Sequence, residues 1–364
     1  MRTPTKLGAA VLSAALLLAT SAQAHAASTN ADGPGHNSQD SQDNHFDLEA
    51  HRGGIGLTVE STLASFAKGI ETGVSTLELD LQITKDGREV ITHDRKISDK
   101  KCLDTAPVTP NDPQFPYVGK YIKDLTFEQV RSLDCGSLTL PQFPGQQASP
   151  GAKMPTLAEV FALADSYRAS QVKFNIETKV EAGAPQETAP REQFVDVALR
   201  EIKAAHMQGR VSIESFDWGS LRLVQERDPQ IRTVALTNKD FLQAGQPGSS
   251  PWLGGIDADD FGGDLIAAAS SLGFDAVSPV HGTPQNGQVT DPGYVPYVTA
   301  DMVERAHAAG MQVIPWTVDD KPTMRALIGA GVDGLITDYP DRLREVMAES
   351  GMKLPHRFEL QPGH

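Results

Sequence analysis

The sequence predicts an α/β chain folded as a (β/α)8 TIM barrel, with an insertion after strand 2 and its hairpin. Strand-like apolar runs alternate with helical patterns along most of the chain. Eight of those runs precede helices, around Leu48, Leu77, Phe174, Val211, Val234, Ala276, Val313 and Leu335. Polar side chains also gather where several of these strands should end, as they do at the rim of such a barrel. A doubly wound sheet, the competing architecture, calls for a GxGxxG turn after its first strand. Gly53-Gly54-x-Gly56 lacks that spacing and the acidic partner downstream. At 364 residues the chain is long enough for one large domain of this kind.

At the N-terminus, Arg2 and Lys6 precede an apolar run from Leu7 to Thr20, and Ala22-Gln23-Ala24 or Ala24-His25-Ala26 offers a small-x-small cleavage site. Residues 1–26 therefore read as a signal peptide, cut near Ala24 to Ala27, and a secreted protein is expected. The run falls short of the roughly 20 apolar residues that a spanning helix needs. No cysteine at the cut invites a lipid anchor. Residues 27–45 are almost wholly polar and read as a flexible leader, with His36 and His45 as solvated side chains.

The barrel domain is expected over 46–350, starting with FDLEAHRGG, a short strand that ends in His51 and Arg52. Leu63, Phe66, Ala67 and Ile70 then mark one helical face that stops at Gly73. Leu77, Leu79, Leu81 and Ile83 alternate with Glu78, Asp80 and Gln82, giving a strand with one apolar and one acidic face. Lys85-Asp86-Gly87 turns it into REVITHD, a second hairpin arm ending at His93.

Residues 95–154 show little periodicity and read as an insertion. Both cysteines, Cys102 and Cys135, lie there, and in an exported chain they most simply form one disulfide. Such a bridge stabilises by roughly 3 to 4 kcal/mol in the chain-entropy model. A catalytic thiol is the weaker reading, since neither cysteine has a histidine near it in sequence.

Alternation resumes with a helix over 156–168, a strand over 171–179, a helix over 187–207, a strand over 210–216, a helix over 218–226 and a strand over 231–237. Residues 238–273 read as irregular. Strand 274–280, a loop around His281, helix 301–309, strand 311–318, helix 322–330, strand 332–338 and helix 342–349 complete the domain, and 351–364 form a C-terminal tail.

Charge narrows the partners. The net charge of −15 becomes about −17 once a segment with Arg2 and Lys6 and no acid is removed. So acidic a body argues against nucleic acid and against anionic membranes. An anionic substrate would need a bound cation or a local cluster of basic residues.

The strand-end rule gathers His51 and Arg52 from strand one, Glu78 and Asp80 from strand two, His93 from its hairpin, Glu177 and Lys179 from strand three, and Trp316 from strand seven. Glu78 and Asp80 are two apart and point the same way, and Glu177 can face them from the neighbouring strand. Three carboxylates in one cavity repel, which one hard divalent cation relieves. All-oxygen ligation favours Ca2+ or Mg2+ over Zn2+. A solvated strand face would explain Glu78 alone but not the trio. His51 and His93 suit general acid–base work in either order. Arg52 and Lys179 would hold phosphate oxygens, or simply neutralise the acids. Trp316, Phe216 and Tyr121 are candidates to wall the site and His281 to touch substrate, with ordinary packing as the alternative.

In His51-Arg52-Gly53, Glu60-Ser61-Thr62-Leu63, Glu78-Leu79-Asp80, His93-Asp94, Glu177-Thr178-Lys179, Ser215-Phe216, Pro315-Trp316-Thr317-Val318 and the stretch GVDGLITDYP over 331–340, the chain resembles the glycerophosphodiester phosphodiesterases. The resemblance runs in order from Leu48 to about Met347. It implies a TIM barrel, a divalent metal on Glu78, Asp80 and Glu177, and acid–base work by His51 and His93. It also implies phosphate contacts from Arg52 and Lys179, with Glu60, Phe216, His281 and Trp316 in the substrate pocket and an insertion that shapes it.

The implied reaction is hydrolysis of a glycerophosphodiester, a small molecule, to glycerol 3-phosphate and an alcohol, through a cyclic phosphate where a glycerol hydroxyl attacks first. Two departures stand out: Val59-Glu60-Ser61-Thr62 replaces the usual Pro-Glu-Asn-Thr, and Asp319 stands where an Asn often follows Trp-Thr-Val. A phospholipase acting on lysolipids and a non-catalytic phosphodiester-binding barrel are the alternatives. A glycosidase using Glu78 and Glu177 fits less well, because Arg52 and Lys179 beside them suit phosphate better than a neutral sugar.

Overall fold

The computed structural model describes residues 45–360, so the expected signal peptide and all but the last residue of the expected leader lie outside the described residues. The first strand, β1 (Asp47–Ala50), is joined to β2 (Thr76–Ile83) by α1 (Leu63–Thr72), and the two strands pair in parallel. Thr62 starts α1 with a reciprocal cap: its hydroxyl accepts the Ser65 amide, and the Ser65 hydroxyl accepts the Thr62 amide. β2 turns back into β3 (Glu89–Ile91), its antiparallel partner. This is the expected hairpin.

The inserted segment is not patternless in space. It carries α2 (Phe127–Ser132) and a small apolar core of its own, with Ile97, Tyr117, Ile122, Leu125, Val130 and Leu133 packed around the Cys102–Cys135 disulfide. Its apolar residues sit too far apart in sequence to show a period. Contacts made across loops hold it together instead.

Then follow α3 (Leu157–Ser166), β4 (Lys173–Thr178), α4 (Arg191–Ala204), β5 (Val211–Ser215), α5 (Trp218–Arg227), β6 (Arg232–Thr237), α6 (Lys239–Leu242), α7 (Leu265–Ser271) and β7 (Ala276–Pro279). A short ladder of β8 (Gly282–Thr283) with β9 (Val295–Pro296) precedes α8 (Ala300–Ala308), β10 (Gln312–Val313), α9 (Lys321–Gly329), β11 (Gly334–Thr337) and α10 (Pro340–Glu349).

The parallel strands run in the order β10-β7-β6-β5-β4-β2-β1-β11. Amides of Asp333 and Ile336 donate to the carbonyls of Val313 and Pro315 at 3.0 Å each, which joins the two ends. The result is the expected eight-stranded barrel, nearly closed, with helices between strands.

Apart from shifts of a few residues at element ends, three segments differ from the sequence reading. The helix expected over 187–207 begins only at Arg191, because Pro190 occupies its N-cap and Pro185–Glu187 forms a separate 3-10 turn. The stretch 238–273 contains α6, a 3-10 turn at Ala258–Phe261 and α7, each too short to print a helical period. The strand expected over 311–318 forms a regular ladder only at β10, since Pro315 has no amide to donate. Its flanking amides still pair, Ile314 to Val277 O at 3.0 Å and Trp316 to Pro279 O at 3.2 Å. The described part of the tail, 351–360, is tied to the barrel: Arg344 bonds the carbonyls of Gly73 and Pro355 at 2.7 Å each, and Phe358 N donates to Ile70 O at 3.4 Å.

Leu48, Leu77, Leu79, Phe174, Ile176 and Ile213 pack with the helices in one core. The acidic face of β2 is not solvated as a free strand face would be. Glu78 and Asp80 are 1 % and 0 % exposed, inside the barrel with Glu49, Asn175, Glu177 and Glu214. Asn175 supports two of these acids, donating to Glu49 at 3.0 Å and to Glu214 at 2.7 Å.

Between β1 and α1 the chain passes tightly over the start of the helix at Gly53, which has φ +82°. A Cβ there would lie 2.7 Å from the Ser65 carbonyl carbon. Gly53→Ala is therefore expected to cost about 2 to 4 kcal/mol from steric overlap and backbone strain, read as a lower denaturant midpoint.

Candidate active site

At the end of β1 the chain enters a single 3-10 turn, His51–Gly53, in which Arg52 has left-handed φ 52°. This turn lays Arg52 across the mouth of the barrel. Its amide donates to Glu78 Oε2 at 2.8 Å, its Nη1 reaches Glu60 Oε1 at 3.3 Å, and its Nε stands 3.4 Å from Asp80 Oδ2.

Parallel register sets Asp80 beside Glu177, and Lys179 follows on the same strand end. Lys179 Nζ lies 2.9 Å from Glu177 Oε1 and 3.5 Å from Asp80 Oδ1. Glu78, Asp80 and Glu177 each offer an oxygen within 4.8 Å of the others.

That trio fits a hard divalent cation. Both Asp80 oxygens are buried without a hydrogen-bond partner, the mark of donors reserved for something else. Its charge balance agrees. Burial alone would raise Asp80, but Lys179, His93 and Arg52 outweigh it and hold the carboxyl far below its usual range. Glu78 is pushed well up by burial, Asp80 and Glu214. Glu177 rises to about 7, through burial opposed by Lys179 and reinforced by Asp80.

Both histidines are held in the same way. His51 Nδ1 meets Asp338 Oδ1 at 2.5 Å, and His93 Nδ1 meets Asp94 Oδ1 at 2.8 Å. A carboxylate only accepts, so each Nδ1 carries the proton and each Nε2 is left with its lone pair. Burial and the Arg52 charge lower His51 to about 3, and burial, Arg52 and Lys179 lower His93 to about 4, so both are neutral at pH 7.

Asp338 and Asp319 were not among the sequence-derived candidates. Burial lifts Asp338 to about 6, and burial together with the Asp338 charge lifts Asp319 to about 7. Asp319 Oδ1 accepts the Asp338 amide at 2.9 Å and the Thr337 hydroxyl at 3.2 Å. Where an Asn often stands, Asp319 thus keeps the acceptor role through Oδ1, and burial weakens its negative charge. At the other departure, Ser61 takes φ 54°, a conformation Asn accepts more readily than Ser.

His51, Arg52, Glu60, Glu78, His93, Glu177, Lys179, Phe216, His281 and Trp316 all line one cavity of about 1610 Å³, and Tyr121 from the insertion lines it too. Asp80 lies buried beside them. This volume exceeds the roughly 300 to 1,000 Å³ of ordinary small-ligand pockets. One wall is aromatic: the Phe216 ring is 5.4 Å from Trp316 and 5.1 Å from Phe241, which stacks on Trp252 at 4.0 Å. Lys179 Nζ stands 6.0 Å over Phe216, so this wall starts at the charged centre. His281 is tied back through Nδ1 to the Tyr294 hydroxyl at 2.8 Å.

Sequence reasoning gave no site role to Asp94, Lys101, Glu214, Asp319 or Asp338, though Asp94 and Asp338 stand within the quoted motifs and Asp319 was noted as a departure. Asp338 ends a barrel strand and Glu214 lies on one, so the strand-end rule could have found both. Asp94 adjoins a predicted histidine. Lys101 lies in the irregular insertion, where nothing in the sequence marks it.

The sequence profile of the Glycerophosphoryl diester phosphodiesterase family matches residues 51–342. A Glycerophosphodiester phosphodiesterase from Caldanaerobacter subterraneus subsp. tengcongensis is 29% identical over 302 residues, covering 83% of this chain and 98% of the relative. Among solved structures, a Silicibacter pomeroyi protein assigned as a glycerophosphoryl diester phosphodiesterase superposes with a TM-score of 0.69 at 26% identity, over 85% of this chain and 95% of that one. A phosphodiesterase from Oleispira antarctica, solved with its product sn-glycerol-3-phosphate, shares the fold with a TM-score of 0.58 at 19% identity, over 82% and 96% of the two chains.

Proposed function

The chain belongs to the glycerophosphoryl diester phosphodiesterase family, enzymes that hydrolyse glycerophosphodiesters, and we propose that it releases glycerol 3-phosphate and an alcohol by histidine acid–base catalysis at a one-cation site. What carries this reading is the pairing of two aspartate-held histidines that line one cavity with a clustered carboxylate trio, two members of which line that same cavity.

Glu78, Asp80 and Glu177 would hold the cation, Ca2+ or Mg2+ by their oxygen-only donors. When bound, it supplies positive charge that stabilises the charge developing on the phosphoryl oxygens. Arg52 and Lys179, buried cations at the same centre, orient the phosphate and offset the same charge. One imidazole takes the proton of the attacking hydroxyl at Nε2, and the other, once it has taken a proton from solvent at its own Nε2, gives that proton to the departing alkoxide. Attack by a glycerol hydroxyl forms a cyclic phosphate, and water then opens it by the same proton traffic reversed.

Export is proposed with this activity, on the pattern of residues 1–26 and the Cys102–Cys135 bridge that an oxidising compartment preserves. Product analysis tests the reaction. In the presence of Mg2+ or Ca2+, glycerophosphocholine, glycerophosphoethanolamine and glycerophosphoglycerol are expected to yield glycerol 3-phosphate. Lysophosphatidylcholine is expected to turn over much more slowly. Release of phosphocholine in place of choline, or tight binding without turnover, would overturn the assignment.

A further inference from the structure

Lys101 Nζ lies 2.9 Å from Glu60 Oε1 and 2.9 Å from Asp94 Oδ2. Each of those carboxylates already serves the site. Glu60 holds Arg52 Nη1 at 3.3 Å, and Asp94 holds His93 Nδ1 at 2.8 Å. One ammonium from the insertion therefore ties the arm that follows β1 to the end of the β2–β3 hairpin. Lys101 is only partly exposed, at 22 % of its side chain.

Its backbone is fixed on the insertion side. Cys102, the next residue, forms the disulfide to Cys135 and donates its amide to Ser98 O at 2.9 Å. Leu103 and Asp134, each next to one of the cysteines, exchange amide–carbonyl bonds of 2.7 and 3.0 Å. The position of the ammonium is thus set by the stapled insertion.

We propose that Lys101 is a positioning residue for the hydrolysis: it fixes Asp94 against His93 and Glu60 against Arg52, and the Cys102–Cys135 disulfide holds it at that station. The inference rests on the acid–base role given to His93. Freed of Lys101, Asp94 keeps its bond to His93 but loses its second anchor and can rotate, and the imidazole rotates with it. A misplacement of about 1 Å is enough to cost about 10²-fold in rate.

Lys101→Met and Lys101→Arg in the full-length, metal-loaded protein, assayed on glycerophosphocholine, test it, with thermal melting to show that each variant is folded. Lys101→Met is expected to lower kcat by about 10²-fold with little change in KM. It should also move the limb of the pH–rate profile that His93→Ala removes to higher pH, because loss of a nearby cation favours the imidazolium. Lys101→Arg, which can still bridge two carboxylates, should restore most of kcat. In a His93→Ala background, Lys101→Met should add little.

The double variant Cys102→Ser, Cys135→Ser should lower kcat less, with the limb moved in the same direction. A folded Lys101→Met with unchanged kcat and profile overturns the proposal, as does an equal loss in Met and Arg variants with an unmoved limb. A His93→Ala enzyme of full activity would instead remove the role assigned to His93.

Discussion

His51→Ala and His93→Ala are each expected to lower kcat by about 10²- to 10⁴-fold, with KM changed far less. The expectation comes from geometry. Both imidazoles face the cavity lined by Glu78 and Glu177, with Asp80 buried beside them, and each is fixed through Nδ1 by an aspartate at 2.5 or 2.8 Å. Burial keeps both uncharged at neutral pH, so each Nε2 is available to take a proton from the start.

The two variants should separate when the leaving group changes. A p-nitrophenyl ester departs without protonation, so loss of the histidine that serves the leaving group should matter little with it and greatly with choline. Loss of the histidine that serves the nucleophile should matter with both. Asp338→Asn supplies a further check, since an amide at 338 can offer Nδ1 an N–H and so favour the wrong tautomer. Near-normal turnover by both alanine variants on glycerophosphocholine would sink the acid–base reading.

Much of the barrel was legible because its signals are local. The alternation from Leu77 to Ile83 shows a strand by itself, and two cysteines leave one pairing within the chain. The strand-end rule then placed Glu78, Asp80, Glu177 and Lys179 together without coordinates, and the structure puts them within one cluster. The depth of burial was harder to read. Glu78 alone would pass for a solvated strand position, and only closure of the sheet takes it and Asp80 to 1 % and 0 % exposure.

What stayed hidden depends on contacts between distant segments. Asp338 lies 287 residues from His51, and Lys101 reaches its partners through an insertion whose shape comes from a small core and a disulfide. The start of α4 was placed too early, because Pro190 takes the N-cap and Pro185–Glu187 forms its own 3-10 turn.

Chelation is expected to abolish activity, a loss of more than about 10³-fold, and to lower the melting temperature. The reason lies in Asp80. Its carboxyl is held far toward the charged form between Lys179 and Arg52, yet neither of its buried oxygens has a hydrogen-bond partner, and the two cations stand off at 3.4 and 3.5 Å. Glu78 and Glu177 beside it are both raised, so the three carboxyls do not share the negative charge comfortably without a further cation. A divalent ion that binds the folded chain alone should stabilise it by about 2.7 kcal/mol at a hundredfold excess over its dissociation constant.

Asp80→Asn should remove that gain. It should also destabilise the ion-free protein, because Arg52 and Lys179 would lose a buried counterion. These two effects separate a metal ligand from a plain charge partner: a structural aspartate would give the second without the first. Full activity in excess chelator, with a melting temperature indifferent to Ca2+ and Mg2+, would show that Lys179 and Arg52 alone are the counterions of this cluster.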